Sequence, residues 1–369
     1  MPAVSLMKWN WQHPEWPEFT YDASTLERHE AEFLKQGGVL LGAFKHLKPA
    51  EETELLADTA TSEALTTSAI EGEVLSRESV RSSILRHLGL STSSRQGNSR
   101  EEGIARLMAD LLGGRHEAPT HERLWLWHEM LMNGRSTPTT VGAYRTHTRP
   151  MQIASGSEER QVVHFEAPPS DRVPQEMDAF LDWFNGSERD LSPIARAGIA
   201  HLYFESIHPF EDGNGRIGRA ISEVALAQGL GDRSLAMLAT EIESRQTEYY
   251  AALSDASRGL EVTGWLTWFA DVVLAGQRRT LKWIEFLIAK ARLLDGVRGK
   301  INRRQEKALL RMFREGPSGF AGGLSAGNYQ KITGASPATA GRDLAELVQL
   351  GALRRTGKGK GTRYWLTVD

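Results

Sequence analysis

His208-Pro209-Phe210-Glu211-Asp212-Gly213-Asn214-Gly215-Arg216-Ile217-Gly218-Arg219 interrupts two runs of helical periodicity, residues 193–207 before it and 216–228 after it. Pro209 cannot continue a helix and pushes the preceding residue out of helical geometry, so the first helix is predicted to end at His208. Gly213, Asn214 and Gly215 can bend the backbone until its N–H groups point inward as an anion cradle. Arg216 and Arg219 fall on the first turn of the next helix, where a cation opposes the helix dipole. Two arginines there predict a polyanion lying between them and the dipole. Asp212, just ahead of the cradle, suits a magnesium ion shared with phosphate oxygens. An imidazole is the side chain able to take a proton near neutral pH, which makes His208 a candidate base. The alternative is a helix–loop–helix turn with a glycine cap and surface arginines. Base, metal ligand, cradle and two guanidiniums within one short loop argue against it.

Working outward, further helical patterns cover residues 50–70 (ended by Gly72), 77–88, 101–112, 121–132, 174–184, 240–253 and 263–286. A polar link over 91–98 separates two of them. Val162-Val163-His164-Phe165 after the turn signal Ser155-Gly156-Ser157 reads as a short hairpin. The first twenty or so residues hold Trp9, Trp11, Trp16, Phe19 and Tyr21 broken by Pro14 and Pro17; this segment is expected to pack on a larger body. No internal repeat or low-complexity region interrupts the pattern.

The chain of 369 residues is 40% hydrophobic and 25% charged, ordinary for a soluble protein. It has no cysteine, which excludes disulfides, thiolate metal sites and a cysteine nucleophile and suits a reducing cytosol. The start lacks a basic segment followed by an apolar run, and no apolar stretch approaches the roughly 18 residues of a membrane helix. A cytoplasmic protein with no membrane partner is the expectation. The net charge of −3 is unevenly placed: residues 301–369 carry twelve Lys or Arg against five Asp or Glu, a net of +7. That tail reads as helices over 303–314, 325–333 and 336–350, the last capped by Ser336 with Pro337 at its first position, then two strands over 352–368 around a glycine and lysine turn. Three helices and a hairpin make the pattern of a winged helix.

The central loop also resembles a family. His-x-Phe-x-(Asp/Glu)-Gly-Asn-Gly-Arg-x-x-Arg is the signature of the Fic (Fido) protein adenylyltransferases, and residues 208–219 match its specified positions. The resemblance extends over roughly residues 1–290. It implies a mainly α fold: an all-helical Fic core with a short β-hairpin flap, here followed by the winged helix. The expected divisions are 1–100 (aromatic segment and inhibitory helix), 101–298 (catalytic core) and 299–369 (winged helix). It implies transfer of AMP from ATP, with magnesium, to a Ser, Thr or Tyr hydroxyl of a target protein. By position, His208 is similar to the base, Asp212 to the magnesium ligand, and Gly213, Asn214 and Gly215 to the anion hole. Arg216 and Arg219 resemble the residues that hold the phosphate chain, and Phe210 the residue packed beneath the loop. Val163-His164-Phe165 is similar to the flap that clamps the target as an added strand, so Val163 is counted at the ATP site. Tyr249 and Tyr250 match a tyrosine pair near the nucleotide base, and Gly142-Ala143-Tyr144-Arg145 a segment that orders the flap.

Thr67-Ser68-Ala69-Ile70-Glu71-Gly72 resembles the family's inhibitory motif (Ser/Thr)-x-x-x-Glu-(Gly/Asn). It implies that Glu71 pairs with Arg219 and keeps the γ-phosphate from its productive place, and some relatives with this brake also remove AMP. A homodimer is expected. The competing reading is a DNA-binding transcriptional regulator whose Fic core senses nucleotide. The wing offers Arg354, Arg355, Lys358, Lys360 and Arg363 to DNA, but the third helix sets Arg342 against Asp343 and Glu346. An intact His208 and Asp212 favour the enzyme.

Overall fold

Apolar residues recurring at three- and four-residue spacing draw most of the chain into helices that bury one stripe each. The computed structural model describes residues 9–90, 98–113, 117–155, 162–317, 319–320 and 322–367. The described residues form fourteen α-helices and two two-stranded antiparallel sheets. They separate into two units, residues 1–46 with 52–280 and residues 47–51 with 281–369.

The first unit is built around α7 (Pro193–Ile207), in which every residue from Ile194 to Ile207 is buried. A helix apolar on all sides belongs at the centre of a bundle. Pro193 occupies its first position, and the orphan amides that follow are satisfied from a distance: Glu30 on α1 (Glu27–Lys45) accepts from Ile194 N and Ala195 N, both at 3.0 Å. α8 (Asn214–Leu230) returns along α7 as its closest-packed neighbour. Around this pair lie α2 (Pro49–Ile70), α3 (Arg77–His87), α4 (Ser99–Gly113), α5 (His121–Met132) and α6 (Val173–Gly186). Phe180, Tyr203, Phe204 and Phe269 are among the rings that fill the core.

α2 ends in a Schellman motif. Gly72 takes the left-handed conformation (φ 78°), Gly72 N donates to Ala69 O at 2.9 Å and Glu73 N to Ser68 O at 2.9 Å. Glu71 and Glu73 therefore flank the glycine at a fixed corner. Farther up the same helix, Glu63 accepts from Ala239 N (2.7 Å) and Thr240 N (3.0 Å), which ties α2 to the first turn of α9 (Leu238–Ser244).

The helical fold matches the sequence expectation, with three differences. The sequence pattern does not predict α1. Its apolar stripe of Phe33, Leu40 and Phe44 is regular, but Gly37, Gly38 and Gly42 lower its intrinsic propensity and only burial against the bundle restores it. The helix predicted over 240–253 is two, α9 and α10 (Gln246–Ala256), broken where Arg245 leaves helical geometry (φ −127°, ψ 33°). α11 (Thr263–Val297) runs eleven residues beyond the predicted end.

The flap hairpin pairs β1 (Gln152–Ser155) with β2 (Val162–Glu166), Gln152 opposite Glu166 and Ile153 opposite Phe165, with a bulge after Ile153. The predicted turn at Gly156-Ser157, most of the polar link at 91–98, and Val368 lie outside the described residues.

In the second unit, the last turns of α11 join α12 (Arg303–Phe313), α13 (Ala326–Thr333), α14 (Pro337–Gln349) and a hairpin of β3 (Leu353–Thr356) and β4 (Arg363–Leu366). Phe286, Val297, Leu309, Tyr329, Leu344 and Leu347 share its core. Asn302, Ser325 and Ser336 cap the three helices through their side chains.

Candidate functional site

α7 ends where Pro209 requires it to. His208 is left-handed (φ 50°, ψ 59°), a conformation unusual outside glycine and asparagine, and its amide still donates to Phe204 O at 2.9 Å. Arg145 holds this corner. It is wholly buried; Nε donates to His208 O (2.8 Å), Nη2 to Pro168 O (2.6 Å) and Nη1 to Ser170 Oγ (2.9 Å). A cation thus sits on the terminal carbonyls of α7 and joins them to the chain leaving the flap. Burial lowers its pKa to about 10, so it remains charged at neutral pH.

Asn214 closes the loop from the other side: its Oδ1 accepts from Phe210 N (3.0 Å) and its Nδ2 donates to Phe210 O (2.8 Å). Phe210 lies beneath, stacked on His128 at 4.3 Å between centroids. Burial lowers the His128 pKa to about 4, and its Nδ1 accepts from Gly142 N at 3.0 Å, so it is neutral. Gly213 is left-handed (φ 86°) and starts α8, whose first-turn amides lack intrahelical acceptors. Asp212 Oδ1 accepts from Gly213 N (2.5 Å) and from Arg216 Nη2 (3.1 Å), with the carboxylate partly exposed.

His208 Nδ1 lies 3.3 Å from Glu205 O and 3.6 Å from Glu205 Oε2. Burial pushes the Glu205 carboxyl up, but His208, His201 and Arg219 outweigh it and the net shift is downward, so Glu205 is ionised. An Nδ1–H directed at Glu205 leaves Nε2 as the free nitrogen.

Arg219 is buried (3% exposed) and held by α2: Nη2 donates to Glu71 Oε1 (2.7 Å) and Thr67 O (3.0 Å), Nε to Thr67 Oγ1 (2.8 Å). Glu71 also presses on the loop, since a Cβ on Gly215 would stand 2.3 Å from its Oε1.

A cavity of about 520 Å³ opens beside these groups, with His208, Asp212 to Gly215, Glu71, Tyr249 and Tyr250 among its lining. The tyrosines differ. Tyr249 is buried, its hydroxyl 2.9 Å from His201 Nε2, while Tyr250 is 47% exposed and donates to Ile70 O at 3.3 Å. Val163 is not in the lining; it packs with Trp9 and Phe165, and its neighbours His164 and Phe165 face the cavity instead. Among the described residues no group of three His, Cys, Asp or Glu could hold a metal. A metal here would rest on Asp212 and on ligands from outside the protein.

Sequence reasoning missed Glu205, Glu73 and Arg135, and left Trp9 to Trp11 without a partner. Trp9 packs edge-on against Phe165, Asn10 Nδ2 donates to Ser206 Oγ (2.7 Å), and Trp11 Nε1 to Glu166 O (2.6 Å). Glu205 could have been found, lying three residues before His208 on the same helix. The others are joined only in space.

Residues 118–226 match the Fic/DOC family, and residues 9–90 match a domain of unknown function, DUF4172. A stretch of 154 residues is 28% identical to protein adenylyltransferase fic-1 of Caenorhabditis elegans, covering 42% of this chain and 27% of that protein. Another of 95 residues is 32% identical to a probable protein adenylyltransferase of Aquifex aeolicus, covering 26% of this chain and again 27% of the relative. The chain thus aligns with little more than a quarter of either. Among solved structures, a Fic family protein from Desulfovibrio desulfuricans G20 superposes over 92% of this chain and 96% of its own with a TM-score of 0.53 and 23% identity. Fic-1 of Caenorhabditis elegans superposes over 70% of this chain and 74% of its own, with a TM-score of 0.50 and 23% identity. These likenesses show the fold.

Proposed function

We propose that this chain, with its Fic/DOC match over residues 118–226, is a protein adenylyltransferase that moves AMP from ATP to a hydroxyl of another protein and is held back by Glu71. The observation that carries the reading is the single cavity onto which His208, Asp212 and the amide-rich start of α8 all open, with Arg219 behind them in the grip of Glu71.

In this reading the target hydroxyl oxygen attacks the α-phosphorus in line, its proton passes to His208 Nε2, and the bond to the bridging oxygen breaks as pyrophosphate leaves. Glu205 keeps the imidazole in the tautomer that can take that proton and supports the charge it gains. The first-turn amides of α8 receive non-bridging phosphate oxygens, and Arg216 and Arg219 neutralise the rest of the phosphate chain. Asp212, partly exposed in the cavity, fits a magnesium ion whose other ligands are phosphate oxygens and water, and that ion would screen the phosphate charge. Tyr250 offers an exposed ring for the base, and the free edge of the flap a strand for the target. The test is incubation with ATP labelled at the α-phosphate and with cell lysate. Wild type and Glu71→Gly should label protein bands and His208→Ala should label none while still binding ATP. Equal labelling by His208→Ala would sink the assignment.

A second reading, DNA binding by residues 281–369 as a winged helix, gains one observation. Asp343 is turned into the unit, accepting from Arg304 Nε (3.0 Å), Asn302 Nδ2 (3.2 Å) and the Tyr329 hydroxyl (2.9 Å), so it does not oppose the exposed Arg342 on α14. Anisotropy of labelled duplex DNA with the full chain tests it. Binding whose salt slope reflects several phosphate contacts supports it, and none at low salt removes it.

A further inference from the structure

Glu73 stands on the far side of Gly72 from Glu71 and faces two guanidiniums. Its Oε2 is 3.2 Å from Arg216 Nη1, and its Oε1 pairs with Arg135 Nη2. Arg216 also reaches Asp212 Oδ1 at 3.1 Å, and Arg135 Nη1 stands 3.9 Å from Asp212 Oδ2. Asp212, Arg216, Glu73 and Arg135 thus close a ring of alternating charge. The side chains of Arg216, Arg135 and Glu73 are only 2%, 12% and 13% exposed, so a member that left would not be compensated by bulk water. Arg216 also keeps a buried Nε without an acceptor among the described residues.

We propose that Glu73 competes with the polyphosphate for Arg216, and that Arg135 is the cation that keeps Glu73 paired once Arg216 has turned to the nucleotide. The identity of the anion rests on the adenylyltransferase reading. The Nη1–H that Arg216 gives to Glu73 passes to a phosphate only when Glu73 releases it. Were Arg216 its sole partner, the carboxylate would be stranded in a mostly dry site and would hold the arginine back. With Arg135 present, Glu73 keeps one of its two partners and the exchange is cheap. Arg135 is a positioning residue. Its Nε is fixed to Leu131 O at 2.9 Å at the end of α5, and its nearest approach to the cavity is through Asp212. This restraint is separate from that of Glu71, which holds a different arginine, although both carboxylates leave the same helix end.

A merely structural ion-pair cluster would weaken ATP binding whichever member was lost. Competition predicts opposite signs. Calorimetric titration of the full chain with Mg·ATP should show Glu73→Gln binding about tenfold tighter than wild type, the ~1.4 kcal/mol of one charge-assisted hydrogen bond returned to the nucleotide. Arg135→Gln should bind more weakly than wild type, and the double variant should return to the Glu73→Gln value. AMP, which lacks the β- and γ-phosphates, should bind all four proteins alike. Melting temperatures of the same samples separate unfolding from affinity, and the Arg135→Gln arm stands if Glu73→Gln proves unstable. ATP binding that is unchanged or weaker in a folded Glu73→Gln, or tighter in Arg135→Gln, overturns the proposal and leaves the enzyme reading intact. A wild type that binds no ATP at millimolar concentration overturns both.

Discussion

Replacing Glu71 by glycine should accelerate AMP transfer by one to two orders of magnitude. Among the described residues Arg219 has three tethers, of which Glu71 supplies the only charged one: Nη2 to Glu71 Oε1 at 2.7 Å, beside two bonds to Thr67. Losing Glu71 therefore frees one edge of the guanidinium while Thr67 keeps the side chain in place for an incoming phosphate. A charge-assisted hydrogen bond contributes about 1.5–3 kcal/mol, which corresponds to roughly 10- to 150-fold in the share of enzyme whose Arg219 is available. The carboxylate also fills space against Gly215, so a γ-phosphate kept out displaces the α-phosphate, and misplacement of about 1 Å can cost about a hundredfold. Initial rates of label transfer from α-labelled ATP below saturation are compared for wild type, Glu71→Gly, Arg219→Ala and the double variant, with Glu71→Gln to preserve the helix end. Arg219→Ala should not gain, because brake and phosphate clamp go together, and the double variant should resemble it. If Glu71→Gly labels no faster than wild type, Glu71 is merely the end of a helix. Release of AMP from a pre-labelled target by wild type, lost in Glu71→Gly, would show that the same carboxylate serves the reverse reaction.

Other predictions concern stability and boundaries. Burial, with Glu63 nearby, raises the Glu223 carboxyl to about 7 from 4.5. A carboxyl raised on folding contributes fully below its unfolded pKa and loses that contribution as pH rises through the folded one, so Glu223→Gln should gain up to about 3 kcal/mol at pH 8 and nothing at pH 4. Melting temperature against pH checks it, and a gain independent of pH would refute the cause. Gly72→Ala places a side chain at φ 78° and should destabilise by about 1 kcal/mol while speeding transfer, since it loosens both carboxylates; chemical denaturation and the labelling assay read the two effects. A chain cut after residue 298 should aggregate, because Phe286, Leu293, Leu294 and Val297 lose the core they share with α12 and α14, whereas a cut after Thr280 should stay in solution on size-exclusion chromatography.

What could be read from the sequence was whatever is local. The loop from His208 to Arg219 carries its own geometry in proline and glycine, and the helix ends follow from Gly72, Ser336 and Pro337. α1 was hidden because its glycines argue against a helix that tertiary packing enforces, and the break at Arg245 has no proline or glycine to announce it. The ring through Glu73 could not be read at all. Arg135 and Arg216 lie 62 and 143 residues beyond it, and only the bundle brings them within reach. Val163 shows the limit of a resemblance. It places the hairpin, but the bulge opposite Ile153 and Ala154, which leaves His164 as the extra residue on β2, breaks the strand's alternation, so that His164 and Phe165 both line the cavity and Val163 does not.

The fully buried Asn10 has a practical consequence for anyone preparing the protein. Its amide donates to Ser257 O at 2.7 Å and its side chain to Ser206, two residues before His208, while Trp9 and Trp11 on either side grip the strand of the flap. A protease clipping after Trp11, or an affinity tag that drags the leading segment from its seat, would strip three anchors from two sides of the cavity at once. The sample could remain folded on its large helical core and melt almost normally, yet present a slack flap and a shifted histidine. Intact mass should therefore be verified before any preparation is declared inactive.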